Sequence, residues 1–502
     1  MSLLLGYDIG SSSIKATLLD AQTGAVIASA VSPQKELAIS APNPGWAEQE
    51  PDIWWENVIS ATHQLNSQAK FDPCDIKAIG ISYQMHGLVA VDKNLRVLRP
   101  AIIWCDSRAV QIGEKAASDI GEQNCLNTLL NLPGNFTTSK LKWVMENEPE
   151  LYSKIHKIML PGDYIAMKMT GQINTTPSGL SEAILWDFKK HNLSDLILDY
   201  YGIDESLIPD VTSTFSIQGE LTKEAAKQLQ LKPGTKISYR VGDQPNNALS
   251  LNVLEPGEIA ATAGTSGVVY GITDKPDYDS QSRVNTFVHV NNEPANPKYG
   301  VLLCVNGTGI LNSWLKHNMA RSDKNSLTYE QMNELAATVS PGSQGLFIFP
   351  YGNGAERTLN NKDIGASVYG WNFNIHKKEH FFRAAQEGII FALNYGLQIM
   401  RKMQINIKTV RAGNANMFLS PVFSQTFADV TSCCVELYNT DGSQGAARGA
   451  GIGAGIFKNA QDAFANLAPV RKIEPDNKLN LIYQEIYKNW ENILNDKLHN
   501  SS

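Results

Sequence analysis

The chain has 502 residues, which is too long for one hydrophobic core, so we expect two domains of roughly 200–250 residues each. Its formal net charge is −7 and it has no long basic run, which argues against nucleic-acid binding. Six cysteines lack metal-ligand spacing, and no apolar run approaches the ~18–20 residues that span a bilayer, so we expect a cytoplasmic protein with reduced thiols and no membrane partner.

The first predicted elements are two strands joined by a tight polar turn. Residues 3–5 indicate a buried strand, and the alternation over residues 14–19 indicates a second one. Gly10 permits a tight turn, so the polar residues around it should lie together at the tip of a hairpin. These residues are Asp8, Ser11, Ser12 and Ser13. Taken alone, the pattern is typical of an ordinary hairpin.

A helix and two strands follow. Pro51 suits a first helical turn before an apolar face that begins at Trp54. Residues 79–83 alternate as a strand that ends in the sequence QMHG, where a histidine is most often structural. Residues 101–109, AIIWCDSRA, predict the next strand. Trp104 and Asp106 stand at its end.

A β-rich segment closes the first half of the chain. Residues 237–241 indicate a strand, and residues 246–251 can begin a helix. Between them stands the sequence GDQ, whose aspartate, Asp243, has the position of a helix N-cap. The predicted domains are residues 1–250 and residues 251–502.

The hairpin pattern recurs at the start of the second half. A small apolar strand at residues 259–262 runs into GTSG at residues 264–267, and another β-rich strand follows. Successive backbone N–H groups and hydroxyls at such a tip form a concavity that binds anions. Two such tips, about one domain length apart, could hold a polyphosphate between two domains.

The last third of the chain predicts two packing helices. Ala447, Gly451 and Gly455 recur every four residues, which favours a close-packed helix over a dinucleotide loop. The final stretch predicts a helix that closes the fold. Its apolar face is predicted to consist of Ile482, Ile486, Trp490 and Ile493.

Several of these segments together resemble one family. Residues 8–20 and 263–267 resemble the paired phosphate hairpins of the actin-like ATPase fold. PNPGWAEQEPDIWW at residues 42–55, KLKWVMENEPELY at 140–152 and the segment 365–388 resemble segments of the FGGY carbohydrate kinases. The resemblance implies an α/β fold of two actin-like (ribonuclease H-like) ATPase domains with an interdomain active-site cleft. It implies sugar binding by the first domain and nucleotide binding by the second.

The resemblance also implies roles for the polar turns. QMHG resembles the signature of the xylulose kinases, a branch of this family whose Met and His contact the sugar, and GDQ falls on the family's catalytic loop. Asp243 would be the catalytic base, and Asp8 would lie near Mg²⁺ and the transferring phosphoryl group. The implied sugar contacts are Met85, His86, Asp243, Gln244, Trp104 and Asp106.

The nucleotide contacts are implied by the hairpins and by two later loops. They are Ser11, Ser12, Ser13, Gly264, Thr265, Gly309, Gly413, Asn414 and Asn416. The family's Gly-Gly-Gly/Ala motif is replaced here by VRAGNANMFLSPVFSQTFADV at residues 410–430. An ungapped alignment places the motif on residues 415–417, and a two-residue insertion places it on residues 413–414. Both alignments stay open.

The implied activity is phosphorylation of D-xylulose to D-xylulose 5-phosphate by ATP with Mg²⁺, in pentose catabolism. Three alternatives stay open: a kinase for another ketose, a polyol or gluconate; an actin-like ATPase without a sugar acceptor; and a sugar-binding regulator without catalysis. Dimers are common in the family, so the resemblance suggests a homodimer.

Overall fold

The computed structural model describes residues 1–320 and 326–500, which fold around two large mixed β-sheets with helices packed on them. The strands of the first half are β1 (Leu3–Ile9), β2 (Ile14–Asp20), β3 (Val26–Ser32), β4 (Glu48–Gln49), β5 (Ile76–Tyr83), β6 (Val89–Val91), β7 (Ala101–Ile102), β8 (Lys157–Met159), β9 (Asn174–Thr175), β10 (Trp186–Asp187), β11 (Asn192–Leu193), β12 (Asp210–Val211), β13 (Phe215–Glu220) and β14 (Lys236–Gly242). Its helices are α1 (Pro51–Gln68), α2 (Val110–Ile120), α3 (Glu122–Leu129), α4 (Thr137–Asn147), α5 (Pro149–Tyr152), α6 (Pro161–Thr170), α7 (Pro177–Glu182), α8 (Asp195–Tyr201), α9 (Lys223–Leu229) and α10 (Asp243–Ser250).

The second half repeats the same α/β organisation. Its strands are β15 (Glu258–Ala263), β16 (Gly267–Thr273), β17 (Asn285–Val288), β18 (Tyr299–Val305), β19 (Phe347–Pro350), β20 (Ala366–Tyr369), β21 (Thr409–Gly413), β22 (Cys434–Tyr438) and β23 (Arg471–Ile473). Its helices are α11 (Gly309–Asn318), α12 (Tyr329–Ala337), α13 (Lys378–Lys402), α14 (Pro421–Thr431), α15 (Gly442–Gly453) and α16 (Asn477–Asn500).

Each half has one large sheet that contains one of the two predicted hairpins. The first sheet has the strand order β13-β14-β5-β1-β2-β3, with β1 antiparallel to β2 and parallel to β5. The second has the order β17-β18-β16-β15-β21-β22-β23, with β15 antiparallel to β16 and parallel to β21. Both predicted hairpins are therefore confirmed, and each borders a parallel strand.

Helix α15 belongs to the second half in sequence but packs against strands β1, β5 and β14 of the first sheet. Glycines allow this approach. A Cβ atom on Gly6 would lie 1.9 Å from the carbonyl oxygen of Ser443, and one on Gly80 would lie 2.0 Å from that of Ala446. Any side chain at these two positions would push the helix away. The prediction of a close-packed helix is confirmed for Ala447 and Gly451, whereas Gly455 lies beyond the end of the helix at Gly453.

Two predicted elements differ from the structure. The strand expected over residues 101–109 ends at Ile102, and Trp104 and Asp106 follow it in irregular backbone. In α16 the buried face is rotated from the predicted one, and Ile482 is 47% exposed. The buried residues are Tyr483, Tyr487, Trp490 and Leu494. The tyrosines can be buried because their hydroxyls have partners; that of Tyr483 donates to Glu387 Oε1 at 2.9 Å.

No helix within residues 1–320 and 326–500 is long and apolar enough to cross a membrane.

Candidate active site

Three polar segments meet at the carboxyl edge of the first sheet. Strands β1, β5 and β14 run parallel, with Asp8 opposite Ser82 and Ser82 opposite Val241. Because the carboxyl ends of parallel strands share one edge, Asp8, QMHG and GDQ are brought together although they are far apart in sequence. This edge is where ligands bind in open α/β sheets.

Asp8 lies between the first hairpin and the start of α15. Its Oδ1 accepts a hydrogen bond from Ser82 Oγ at 2.9 Å. On its other side, a Cβ atom on Gly442 would lie 2.4 Å from Oδ2, so only glycine leaves room for this carboxylate. Burial raises the pKa of Asp8, and the hydrogen bond from Ser82 opposes that rise. The carboxylate is thus held firmly at the tip of β1.

Asp243 is the first residue of α10, directly after β14. Gly242 is the N-cap, so the N-cap position expected for Asp243 is wrong by one residue. Burial, followed by the negative charge of Asp8, raises the pKa of Asp243 to about 7. Two carboxyl groups therefore lie near one another, and one of them titrates near neutral pH.

His86 lies in the QMHG segment and is held in an uncommon backbone conformation. Its φ angle is 62°, in the left-handed region that non-glycine residues rarely adopt. Its ring Nδ1 lies 3.0 Å from the carbonyl oxygen of Glu182. Burial, followed by the nearby charge of Lys140, lowers the pKa of His86 to about 3, so the imidazole is neutral. Because a carbonyl oxygen only accepts, Nδ1 carries the proton and Nε2 is the acceptor.

Aromatic and apolar side chains enclose the histidine. Its ring lies edge-on to Phe136, with ring centroids 4.7 Å apart, and 5.7 Å from Phe287 of β17. Met85 is buried against the backbone before Asp243, since a Cβ atom on Gly242 would lie 2.6 Å from Met85 Cγ. Residues of both halves of the chain thus form the walls around His86.

The two residues predicted after β7 have different surroundings. The indole of Trp104 is 43% exposed and donates from Nε1 to Ser11 Oγ at 3.4 Å, which links it to the first hairpin. Asp106 is fully buried, and its Oδ2 accepts from the backbone N–H of Ala47 and from Arg108 Nη2, both at 2.6 Å. Its carboxylate is therefore occupied by protein donors.

The second hairpin is bound to helix α11 through backbone atoms. The N–H of Gly309 donates to the carbonyl oxygen of Gly264 at 2.7 Å, and that of Ile310 donates to Thr265 at 3.3 Å. A Cβ atom on Gly309 would lie 2.3 Å from the oxygen of Gly264, so this contact requires glycine. The structure thus brings Gly264, Thr265 and Gly309 together.

The divergent segment at residues 410–430 also reaches this hairpin. Strand β21 ends at Gly413, and the side chain of Asn416 approaches Gly264, where a Cβ atom would lie 3.4 Å from Asn416 Nδ2. Asn414 points elsewhere, and its Nδ2 donates to Asn439 Oδ1 at 3.2 Å.

Two buried residues of the site were missed by sequence reasoning. Lys140 begins the segment KLKWVMENEPELY, whose resemblance implies no role for it, and Glu182 lies in none of the motifs. Both are within 1% of full burial and contact His86. The only sequence signal for Glu182 is an acidic residue inside the apolar run LSEAILW. Such a residue needs a partner when it is buried.

The carboxylates at this edge fit a magnesium ion. Within residues 1–320 and 326–500 no group of three or more His, Cys, Asp or Glu residues could hold a metal alone. Mg²⁺ is instead usually held by one or two carboxylates together with water and substrate phosphates. Asp8 and Asp243 supply two carboxyl groups beside the first hairpin, which suits that mode of binding.

Comparison with known proteins adds the following similarities. The model of the FGGY family of carbohydrate kinases matches residues 3–250 with its N-terminal domain and residues 259–456 with its C-terminal domain. The xylulose kinase of Lactococcus lactis subsp. lactis (strain IL1403) is 30% identical over 506 residues, which cover 98% of this chain and 96% of its own.

Solved structures show the same fold over nearly the whole chain. The xylulose kinase from Rhodospirillum rubrum superposes with a TM-score of 0.87 at 24% identity and covers 99% of this chain and 100% of its own. The gluconate kinase from Lactobacillus acidophilus gives a TM-score of 0.89 at 22% identity, covering 100% of this chain and 99% of its own. Kinases named for different sugars therefore share this two-domain α/β architecture.

Proposed function

The chain belongs to the FGGY family of carbohydrate kinases, which transfer a phosphoryl group from ATP to a sugar, and we propose that its acceptor is D-xylulose and its product D-xylulose 5-phosphate. The observation that carries the proposal is the meeting of QMHG and GDQ at one sheet edge. The first segment supplies a neutral His86, and the second a carboxyl group, that of Asp243, whose pKa is about 7. The relative of 30% identity that is named a xylulose kinase supports this acceptor.

Asp243 is proposed as the general base. A sugar hydroxyl is a poor nucleophile, and a carboxylate in hydrogen-bond reach can take its proton as it attacks the γ-phosphate of ATP. Burial and the charge of Asp8 raise the pKa of Asp243 to about 7, which makes its carboxylate a better proton acceptor than an exposed aspartate. The proton moves from the attacking hydroxyl to an oxygen of this side chain.

The acceptor is proposed to lie against His86 and its neighbours. Nε2 of the neutral imidazole accepts a hydrogen bond from one sugar hydroxyl, while buried Met85 provides an apolar wall. Gln244 follows the base and can bind a neighbouring hydroxyl. Trp104 is proposed to close the pocket beside the first hairpin, to which it is hydrogen-bonded. Asp106, whose carboxylate binds Arg108, is proposed as part of the pocket wall.

The two hairpins are proposed to bind the phosphates of ATP. Backbone N–H groups and hydroxyls at the tips neutralise charge on the transferring group. The tip residues are Ser11, Ser12, Ser13, Gly264 and Thr265, with Gly309, Gly413, Asn414 and Asn416 proposed on the adenosine side. Mg²⁺ held at Asp8 would add positive charge beside the phosphoryl oxygens.

The arrangement of the whole molecule follows from these roles. We propose a sugar-binding domain of residues 1–250 and a nucleotide-binding domain of residues 251–502, with the acceptor between them. Phe287 of the second half already contacts His86 of the first, so closure of the two halves would exclude water from the acceptor hydroxyl. A homodimer is the proposed assembly.

The acceptor is tested by measuring ATP consumption with a panel of sugars. D-Xylulose, L-xylulose, D-ribulose, L-ribulose, glycerol and gluconate are compared at equal concentration, with a reaction without sugar as the control for ATP hydrolysis. We expect the highest kcat/KM with D-xylulose. A preference for gluconate or another acceptor contradicts the proposed substrate and leaves the kinase activity in place. ATP hydrolysis that no sugar stimulates would contradict the roles of QMHG and GDQ.

A further inference from the structure

Glu182 is a buried carboxyl group that the proposed reaction does not use. It is the last residue of α7 and is 1% exposed. Burial raises the pKa of its carboxyl group well above its ordinary value. Placing such a group in the protein interior is costly unless its hydrogen bonds serve the structure or the function. Its contacts therefore indicate what the residue does.

Glu182 contacts both the peptide unit and the ring of His86, and its carboxyl group also hydrogen-bonds the side chain of Tyr83. Its Oε2 accepts a hydrogen bond from the backbone N–H of His86 at 3.1 Å. Its backbone carbonyl oxygen binds ring Nδ1 at 3.0 Å. One residue thus contacts both the backbone and the side chain of a histidine that lies 96 positions earlier in the chain.

Lys140 binds the backbone carbonyl oxygen of His86. Its Nζ donates to the carbonyl oxygen of His86 at 2.9 Å and to that of Ile103 at 3.0 Å. Burial lowers the pKa of this amine to about 8. The backbone N–H and C=O of His86 are therefore both bound by buried side chains, which stabilises a left-handed conformation that otherwise costs free energy.

Helix α7 is itself anchored to the second half of the molecule. Ser178 Oγ donates to the carbonyl oxygen of Val288 at 2.9 Å, and the N–H of Val288 donates to Ser181 Oγ at 3.0 Å. These bonds fix the helix that carries Glu182 relative to β17. Since β17 also supplies Phe287 to the histidine, the orientation of His86 depends on both halves of the chain.

We propose that Glu182 is a positioning residue of the sugar site. It holds His86 so that Nε2 of the imidazole faces the sugar and can accept a hydrogen bond from a sugar hydroxyl. The inference rests on the proposed contact between His86 and the sugar. Without the carboxyl group, the N–H of His86 loses its partner and the residue can leave the left-handed region. The affinity for sugar then falls, whereas the binding of ATP is unaffected.

The test is steady-state kinetics of the full-length protein with D-xylulose and ATP varied separately. We expect Glu182→Ala to raise the KM for D-xylulose by about tenfold or more, as for a lost hydrogen bond to a carboxyl group, with the KM for ATP unchanged. Glu182→Gln keeps an oxygen that accepts from the His86 N–H and should stay within about threefold of the parent. Glu114→Ala, on the exposed face of α2, is the matched control and should change neither KM.

A double-mutant cycle with His86→Ala separates positioning from general damage. If Glu182 acts through His86, Glu182→Ala should not raise the KM for D-xylulose further in the His86→Ala background. The inference is overturned if Glu182→Ala raises the KM for D-xylulose equally in the parent and in the His86→Ala background. It is also overturned if Glu182→Ala raises the KM for ATP as well as that for D-xylulose. If Glu182→Ala fails to fold, Glu182→Asp, which withdraws the carboxyl group from the His86 N–H, is tested against the same criteria.

The cycle also distinguishes the inference from the proposed function on which it rests. If His86→Ala raises the KM for D-xylulose while Glu182→Ala and Glu182→Asp do not, the positioning role alone is wrong. If His86→Ala leaves that KM unchanged, the contact between His86 and the sugar is wrong, and the role of Glu182 falls with it.

Discussion

The two Gly-rich hairpins share a backbone plan but differ in what surrounds them. At the first, side-chain carboxylates dominate, because Asp8 lies beside Ser82 and near Asp243. At the second, the contacts are made by main-chain atoms, as in the bond from the N–H of Gly309 to the oxygen of Gly264. The first hairpin is therefore suited to proton transfer and metal binding. The second is suited to holding phosphates, because main-chain groups do not change their protonation state with pH.

The two hairpins should therefore respond differently to substitution. A carboxylate site can be changed by a single side-chain substitution, since the charge belongs to one residue. A main-chain site is altered chiefly by adding atoms, because every residue supplies an N–H group. If this comparison is right, substitutions at the first hairpin should affect kcat, and those at the second should affect the KM for ATP.

The largest effect is expected at the proposed base. Asp243→Asn removes the proton acceptor and keeps the size of the side chain, so kcat should fall by about 10²–10⁴-fold. The KM for ATP should change little, because the phosphates are proposed to bind at the hairpins. The measurement is kcat by a coupled assay for ADP, with ATP affinity from calorimetry. Asp199→Asn, on the exposed surface of α8, serves as the control. A kcat near that of the parent would contradict the assignment of the base.

A pH profile gives the next largest effect. The carboxyl group of Asp243 must be ionised to accept a proton, and its pKa is about 7. We therefore expect kcat/KM for D-xylulose to fall about tenfold per pH unit below pH 7 and to level off above it. The same measurement on Asp8→Asn should move the midpoint to lower pH, since the negative charge of Asp8 contributes to the raised pKa. A flat profile from pH 5.5 to 8.5 would be incompatible with this base.

A pair of glycine substitutions compares the two hairpins directly. In Gly309→Ala the new Cβ atom would lie 2.3 Å from the oxygen of Gly264, so the second tip must shift, and the KM for ATP should rise about tenfold with kcat less affected. In Gly442→Ala the new atom would lie 2.4 Å from Asp8 Oδ2, so kcat should fall instead.

Both glycine variants are checked for their melting temperature, because a loss of fold would lower every kinetic parameter. If the two variants change kcat and the KM for ATP in the same proportion, the functional division between the hairpins is wrong. If both variants are folded, a higher KM for ATP in Gly309→Ala and a lower kcat in Gly442→Ala would support the functional division between the hairpins.

Much of the site was predictable from local sequence patterns. A glycine in a polar turn between two alternating runs predicts a hairpin tip, and the structure confirms this for residues 10–13 and 264–266. The resemblance of QMHG and GDQ to sugar-kinase segments points to His86 and Asp243 without knowledge of their contacts. These signals are short-range, so the order of residues along the chain carries them.

Other features could not be predicted because their partners are far apart in sequence. The predicted face of α16 shares Trp490 with the buried face but is rotated from it, since isoleucines and aromatic residues both recur at helical spacing. Only the packing partners, such as Glu387 for Tyr483, decide which row is buried.

The order of residues along the chain was enough to predict the α/β class, both hairpins and the side chains proposed to carry out phosphoryl transfer to a sugar. Only the tertiary structure decided how these side chains act. The parallel register of β1, β5 and β14 brings Asp8 near Asp243 and raises the pKa of the second carboxyl group. Glu182 sets the orientation of His86 across 96 positions of chain. Burial and electrostatic coupling depend on distances in space, and these are absent from a linear pattern.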